Sequence, residues 1–148
     1  MRRATLLAVA GIVLAAALPV LSARVRGPGP PRCSRDGTVL GGTLAIRAER
    51  ADEPDARFCS VRCAEDWTLR AGAGWRVLVA DEPSGRELPA AEAWFVRSRV
   101  VASRATGEGL HAFASRDAAA AHAARYGGRV LEGEDRPFGS VREEEPTR

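Results

Sequence analysis

The sequence predicts a small α+β domain, in which a cysteine-bearing hairpin–helix unit packs with a short antiparallel sheet and one C-terminal helix. Short segments rich in β-branched and aromatic residues recur between Thr38 and Leu131, and glycine- or proline-containing turns separate them. Two helical segments begin directly after a serine, at Ser60 and Ser115, and serine is a preferred N-cap residue. A chain of 148 residues has room for one such domain, or for two very small ones that share a core.

The first predicted unit, residues 33–72, contains two short strands, a polar turn and a helix. The pair Gly41-Gly42 separates the strands, and Ser60 caps the helix. The predicted bounds are Thr38–Leu40 and Thr43–Ile46 for the strands, Glu49–Arg57 for the turn and Val61–Leu69 for the helix.

The second predicted unit, residues 73–131, alternates strands with one alanine-rich helix that Ser115 caps and Gly127-Gly128 end. Residues 132–148 are acidic and are predicted to form a flexible tail. The predicted elements of the unit are the strands Trp75–Ala80, Ala93–Val101, Leu110–Phe113 and Arg129–Leu131 and the helix Asp117–Tyr126.

The N-terminus has the pattern of an export signal. Arg2 and Arg3 precede an uncharged apolar run from Ala4 to Leu21, and a linker at residues 24–32 follows. The run has 18 residues, which is long for a cleaved signal peptide and close to the roughly 20 residues of a membrane span. We therefore expect residues 1–23 to act as a signal peptide or, in preference, as a retained anchor. The folded domain is then expected in the periplasm, attached to the cytoplasmic membrane.

Composition argues against nucleic-acid binding and against catalysis. Removing residues 1–23 leaves 20 arginines against 19 acidic residues, and these charges are interspersed along the chain. No basic patch with interleaved aromatic residues is present. Nucleophile elbows, phosphate-binding glycine loops and paired carboxylates are also missing from the sequence. We expect a protein that is not an enzyme and has no nucleic-acid partner.

The three cysteines, Cys33, Cys59 and Cys63, form a C-x25-C-x3-C pattern. Cys59 and Cys63 lie four residues apart at the start of the first predicted helix, so both thiols can face one side. Unsatisfied N–H groups at a helix N-terminus are expected to lower the thiol pKa and to favour thiolates. Thiolates bind soft or borderline ions, which makes Cu(I) the expected metal and Zn(II) a second possibility.

Other interpretations of the cysteines stay open. Exported proteins usually form disulfides, so Cys33 could pair with one cysteine and leave the other as a free thiol. All three could also be buried and inert. A structural zinc or a disulfide could hold a small domain that binds a partner protein. A thiol–disulfide redox protein is a further alternative, although the C-x2-C motif of such proteins is missing.

A fourth ligand is less well defined by the sequence. Histidine is the commonest partner of thiolates in metal sites, and His111 lies in a predicted strand. Asp36 is close to Cys33 but is interpreted as a turn residue, and His122 is interpreted as a packed or surface residue of the alanine-rich helix. Met1 is the only methionine, which excludes a thioether copper site in the folded domain.

Two family resemblances appear in these segments. Cys33-Ser34-Arg35-Asp36-Gly37, followed by Arg57-Phe58-Cys59 and Cys63, resembles the cysteine framework of TRASH/YHS-type metallochaperone domains. The segments 93–98, 106–114 and 121–131 resemble the C-terminal half of NosL, the accessory protein of nitrous oxide reductase. Together the two resemblances cover residues 33–131.

The resemblances imply a treble-clef-like hairpin–helix unit within an α+β fold and a role as an extracytoplasmic copper chaperone. The implied partner is a client copper enzyme, such as nitrous oxide reductase, or another metallochaperone. The lipobox cysteine of NosL proteins is missing here, and Thr106-Gly107 replaces their Met-Gly. The usual Cys-Gly-Met is Cys33-Ser34-Arg35. We therefore expect a copper site dominated by cysteine.

Overall fold

The structure is a computed structural model that describes residues 29–41 and 46–139. The chain divides into two compact units, residues 1–30 and 31–148. The predicted signal or anchor at residues 1–23 lies outside the described residues. Within the described residues, no helix has the length and apolar character needed to cross a membrane.

The second unit contains seven short strands and two α-helices in its described residues. A four-stranded sheet has the order β2-β1-β3-β4, and a three-stranded sheet has the order β6-β5-β7. The strands in these two sheets pair in antiparallel fashion. The elements are β1 (Ile46–Glu49), β2 (Ala56–Phe58), α1 (Val61–Ala71), β3 (Arg76–Ala80), β4 (Glu87–Pro89), β5 (Trp94–Arg97), β6 (Leu110–Phe113), α2 (Arg116–Tyr126) and β7 (Arg129–Leu131), followed by a 3-10 turn at Gly133–Asp135.

A hairpin formed by β1 and β2 precedes α1. The paired strands are β1 and β2, in a register that places Ile46 opposite Phe58, and the polar segment after Glu49 forms their connection. Residues 38–40 contribute only a single bridge, between Arg32 and Val39. The predicted strand Thr43–Ile46 overlaps the described part of the chain only at Ile46.

The first sheet crosses the predicted boundary at residues 72 and 73. β3 pairs with β1, with Ala48 opposite Val77, so both predicted units contribute to one sheet. Aromatic packing crosses the same boundary, because the Trp67 ring on α1 contacts Trp75 at a centroid distance of 4.8 Å and Phe58 at 5.3 Å. β4, which the sequence analysis did not predict, adds the edge strand of this sheet.

Asp81 connects the two sheets. Its Oδ1 atom accepts the Ala114 N–H at 2.9 Å, just beyond β6, while Oδ2 accepts the Ser84 N–H in the turn after β3. The Glu82 N–H also donates to the Ala112 carbonyl of β6, at 2.9 Å. Burial raises the pKa of Asp81, but the hydrogen bonds from Ser84 and Ala114 outweigh it and the pKa is lowered. The buried carboxylate of Asp81, which accepts several hydrogen bonds, therefore joins the two sheets.

Both helices begin as predicted. Ser60 accepts the Cys63 N–H at the start of α1, and Ser115 accepts the Ala118 N–H at the start of α2. α2 ends at Gly127, which adopts the left-handed conformation at φ 63° that glycine tolerates.

The predicted flexible tail begins with a packed segment. Phe138 is only 4% exposed, and its ring lies 6.1 Å from that of Phe95 between centroids. The Phe138 N–H donates to a Glu65 carboxylate oxygen on α1 at 3.0 Å. Arg136 donates to the carbonyls of Ala90 and Ala93. Residues 136–138 therefore belong to the folded body.

Candidate metal centre

Cys33 sits in a tight turn that is tied to the edge of the first sheet. Its N–H donates to the Thr38 carbonyl and its carbonyl accepts the Gly37 N–H, each at 2.8 Å. The next residue, Ser34, donates its N–H to the Arg57 carbonyl of β2 at 2.7 Å. These bonds fix the turn against the strand that leads into Cys59.

Cys59 and Cys63 bracket the N-terminus of α1. Cys59 follows β2 directly, and Cys63 lies in the first turn of the helix. The hydroxyl of Ser60, between them, is fully buried and accepts the Cys63 N–H at 3.1 Å. Strand end, N-cap and first helical turn therefore set the spacing of the two thiols, whose sulfur atoms are 3.5 Å apart.

The structure brings the three thiols together with one carboxylate. The Sγ atoms of the three cysteines and an oxygen of Asp36 all lie within 4.8 Å of one another. Asp36 Oδ2 is 3.5 Å from Cys63 Sγ and 3.9 Å from Cys59 Sγ. In tetrahedral zinc sites with bonds of about 2.3 Å to sulfur and 2.0 Å to oxygen, ligand atoms stand about 3.5 to 3.8 Å apart. The donor set and its spacing therefore fit a metal ion.

Burial is uneven across this cluster. Cys33 and Cys59 are buried, Cys63 is partly exposed and Asp36 is exposed. All three cysteines are free thiols. A disulfide needs a sulfur–sulfur distance of about 2.05 Å, so the Cys59–Cys63 pair is in contact and unbonded. The cluster is closed on the side of the core and open to solvent at Asp36 and Cys63.

The electrostatics of the cysteine cluster differ from the sequence expectation. Burial raises the pKa of the Cys59 thiol, and the Cys63 and Cys33 thiols raise it further. Burial also raises the pKa of Cys63, although hydrogen bonds with Ser60 and Cys59 offset part of the shift. The pKa values of Cys59 and Cys63 are therefore raised and not lowered as expected at a helix N-terminus, with burial as the largest cause.

Asp36 is a carboxylate at neutral pH. Hydrogen bonds from the backbone and side chain of Thr38, followed by one from the Cys33 thiol, lower its pKa to about 2. From the sequence alone, Asp36 is interpreted only as a turn residue. That role is real, because Oδ1 accepts the Thr38 N–H at 3.0 Å, but Oδ2 remains directed to the thiols. Its position three residues after Cys33 is the one sequence signal that could have identified it.

The β5–β6 loop covers the start of α1. The Ser103 hydroxyl is buried and donates to the Cys59 carbonyl at 2.7 Å. The Glu108 carboxylate lies beside the first backbone N–H groups of α1; burial raises the pKa of Glu108, and these N–H groups offset part of the shift. The loop thus supports the backbone of Cys59.

The two histidines lie outside the cysteine cluster. His111 is buried on β6, where Nε2 is 3.0 Å from the Val100 carbonyl. Its Nδ1 is 3.2 Å from a Glu82 carboxylate oxygen, although not in line for a hydrogen bond. The His122 ring packs on it with centroids 4.4 Å apart. The predicted fourth ligand, His111, is therefore placed among other partners, and Asp36 occupies the fourth position near the thiols.

A groove of about 1000 Å³ lies beside the cluster. Cys59 and Phe58 form part of its wall, and Ser103 and Arg104 of the β5–β6 loop form another part. The exposed side chain of Val39 also lines it. One of the three thiol residues is therefore in contact with a concave surface large enough to receive part of another molecule.

A solved structure has a fold similar to that of this chain. The crystal structure of the copper chaperone NosL from Shewanella denitrificans matches this chain with a TM-score of 0.60 and 21% sequence identity. The match covers 73% of this chain and 90% of the NosL chain. No protein-family model and no curated protein sequence matches the chain. The similarity confirms the predicted α+β fold and shows that it is shared with NosL.

Proposed function

We propose that this protein is a metal-binding accessory protein that captures Cu(I) and hands it to another protein. The single observation that carries this proposal is the convergence of three thiols from two separate segments, the Cys33 turn and the start of α1, with all ligand atoms within 4.8 Å. Three thiolates form a set that suits a soft monovalent ion. In this proposal the metal ligands are Cys33, Cys59 and Cys63, and copper is the cargo rather than a catalyst.

Two features support transfer over permanent storage. Cys63 and Asp36 leave one side of the cluster open to solvent, and the groove beside Cys59 offers a surface for a second protein. A receiving protein can therefore reach the metal without unfolding the domain. The shared fold with a copper chaperone agrees with such a role.

The client and the compartment are also part of the proposal. Following the resemblance to NosL, the client is a copper enzyme such as nitrous oxide reductase, or another metallochaperone. In this proposal the apolar N-terminal run exports the domain to the periplasm and attaches it to the membrane. A reporter fused after Arg148 should be active only outside the cytoplasm; activity in the cytoplasm would contradict this location.

Metal titration tests the central step. Protein purified anaerobically and kept reduced should bind one Cu(I) per chain, more tightly than it binds Zn(II). Replacing any of the three cysteines by serine should weaken binding by at least about tenfold, because a serine hydroxyl stays protonated and is a poor soft-metal ligand. The matched control is His122→Ala. Because His122 lies outside the cluster, this variant should bind Cu(I) as the parent does.

The outcomes separate copper capture from the disulfide interpretation. With a structural disulfide, two of the three serine variants would lose stability, the third would be silent, and no stoichiometric metal would be recovered. If the reduced parent shows no saturable Cu(I) binding, or the triple serine variant binds equally well, the proposed function fails.

A structural zinc site is the second candidate function. It is favoured by one observation, namely that Asp36 adds a fourth ligand atom to the three thiols, all within 4.8 Å of one another. A structural ion would hold the Cys33 turn on α1, and its removal by a chelator would unfold the domain. A transferable ion would leave the chelated protein folded, as judged by circular dichroism, and able to bind metal again.

A further inference from the structure

Asp36 differs from the three cysteines in that its two oxygens have separate tasks. Oδ1 accepts the Thr38 N–H at 3.0 Å and so shapes the turn that carries Cys33. Oδ2 lies 3.5 Å from the sulfur of Cys63 and 3.9 Å from that of Cys59. One oxygen is engaged in the fold, and the other is available to a metal ion held by the thiols.

The two candidate ions need different ligand sets. Cu(I) is soft, and three thiolates complete a trigonal set around it, so a hard carboxylate oxygen contributes little. Zn(II) prefers four tetrahedral ligands and accepts a carboxylate oxygen at about 2.0 to 2.2 Å. The same four side chains therefore offer three ligands to one ion and four to the other.

Charge acts in the same direction. Cu(I) with three thiolates already carries an excess of two negative charges, and the Asp36 carboxylate beside it adds a third. Zn(II) carries one positive charge more than Cu(I). Its complex with three thiolates and one carboxylate therefore has an excess of only two negative charges. In a partly buried site, where charges are weakly screened, this difference opposes coordination of Asp36 to Cu(I).

We propose that Asp36 sets the metal preference of this site: Oδ2 is the fourth ligand of Zn(II) but stays unbound beside a three-thiolate Cu(I). The inference rests on the proposed function, because it assumes that the cysteines hold the cargo. It adds that the site distinguishes the two ions through a single exposed residue. Without Asp36, zinc should be held poorly and copper should be held as before.

The test compares the parent with Asp36→Asn. Asparagine keeps an oxygen that can accept the Thr38 N–H, so the turn is retained, while the charged ligand is lost. The matched control is Asp66→Asn, which also removes one negative charge. Asp66 lies on α1, is partly exposed and pairs with Arg35 at 3.5 Å. Affinities for Cu(I) and Zn(II) are measured by competition with chelators under anaerobic, reducing conditions, and Co(II) absorption reports the ligand set directly.

In Asp36→Asn, we expect the Zn(II) affinity to fall by at least about tenfold and the Cu(I) affinity to stay within about threefold of the parent or to rise. The ligand-field bands of the Co(II)-loaded variant should change in shape or intensity, and those of Asp66→Asn should not. Equal losses for both ions, or an unchanged Zn(II) affinity, would overturn the inference. If the parent itself fails to bind Cu(I), the proposed function fails first, and the two failures are therefore distinguishable.

Discussion

The thiols are the groups through which pH affects this site. Because burial and neighbouring sulfurs raise the pKa of Cys59 and Cys63, both are protonated at neutral pH in the metal-free protein. A metal ion binds the thiolate, so binding must release these protons. Protons therefore compete with the metal over the whole neutral range.

We expect the apparent metal affinity to rise steeply with pH. Release of at least two protons predicts an increase of about two orders of magnitude or more per pH unit between about pH 6 and pH 8. Competition titrations with a chelator of known pH dependence measure this slope. In Cys59→Ser the slope should fall by about one, because one titrating ligand is lost. An affinity independent of pH would mean that the thiolates are already formed in the free protein.

The sequence predicted the cysteines better than it predicted their surroundings. The pattern C-x25-C-x3-C correctly indicated that three thiols would meet, because a strand end and a helix start impose short-range geometry on Cys59 and Cys63. The role of Asp36 depends on how the Cys33 turn sits on β2, which is a long-range contact. The position of His111 depends on Val100, eleven residues earlier in a loop. Spacing along the chain gives no information about either contact.

At the scale of elements, the N-terminus of α1 organises the centre. Ser60 lies two residues after the end of β2 and caps the helix, so its hydroxyl fixes where the first helical turn begins. Ser103 then holds the preceding carbonyl from the β5–β6 loop. The positions of Cys59 and Cys63 follow from this capped junction.

Removing the Ser60 hydroxyl should affect both stability and metal binding. Ser60→Ala should lower the free energy of unfolding by about 1 kcal/mol, a typical effect of losing an N-cap. It should also weaken metal binding, because Cys63 loses the bond that fixes its backbone. Chemical denaturation of the reduced, metal-free protein and a metal titration measure the two effects.

Ser115→Ala is the control for this prediction. Ser115 caps α2 with the equivalent bond to Ala118 at 3.2 Å, far along the chain from the cysteines. The loss of stability should be similar, about 1 kcal/mol, while metal affinity should not change. An equal loss of metal affinity in both variants would mean that Ser60 acts only through global stability.

The helices were easier to predict than the strands. Each helix has a local start signal in a serine and a local stop signal in glycine, and both helices appeared within two residues of the predicted bounds. The short strands lack such signals. β1 extends past its predicted end at Ile46 to Glu49, and β4 escaped prediction because Glu87-Leu88-Pro89 carries a proline.

At the scale of the molecule, one hydrophobic core links the cysteines to the C-terminal half. The same buried cluster contains Cys33 and Cys59, Phe95 and Leu131 of the second sheet, and Phe138. The predicted division at residues 72 and 73 is therefore a division of sequence pattern and not of packing. The α+β class could be predicted because it depends on element types, whereas the shared core depends on contacts between distant segments.

The packed segment after β7 gives a last prediction about this core. Phe138→Ala should lower the free energy of unfolding by about 3 kcal/mol, because the removed ring is buried against Phe95 and leaves a cavity. Chemical denaturation of the reduced protein measures the change. The control is Leu69→Ala on α1, where the leucine is 63% exposed and its loss should cost no more than about 0.5 kcal/mol.

The location of Phe138 makes this result informative about the metal centre as well. Its N–H binds Glu65, two residues after Cys63 on the same helix, so the segment also holds the C-terminal side of the first turn of α1. Metal binding is measured without denaturant, at a temperature at which Phe138→Ala remains folded. Weaker binding in this variant would show that the segment positions α1. If Phe138→Ala is as stable as Leu69→Ala, the ring of Phe138 does not contribute to the core.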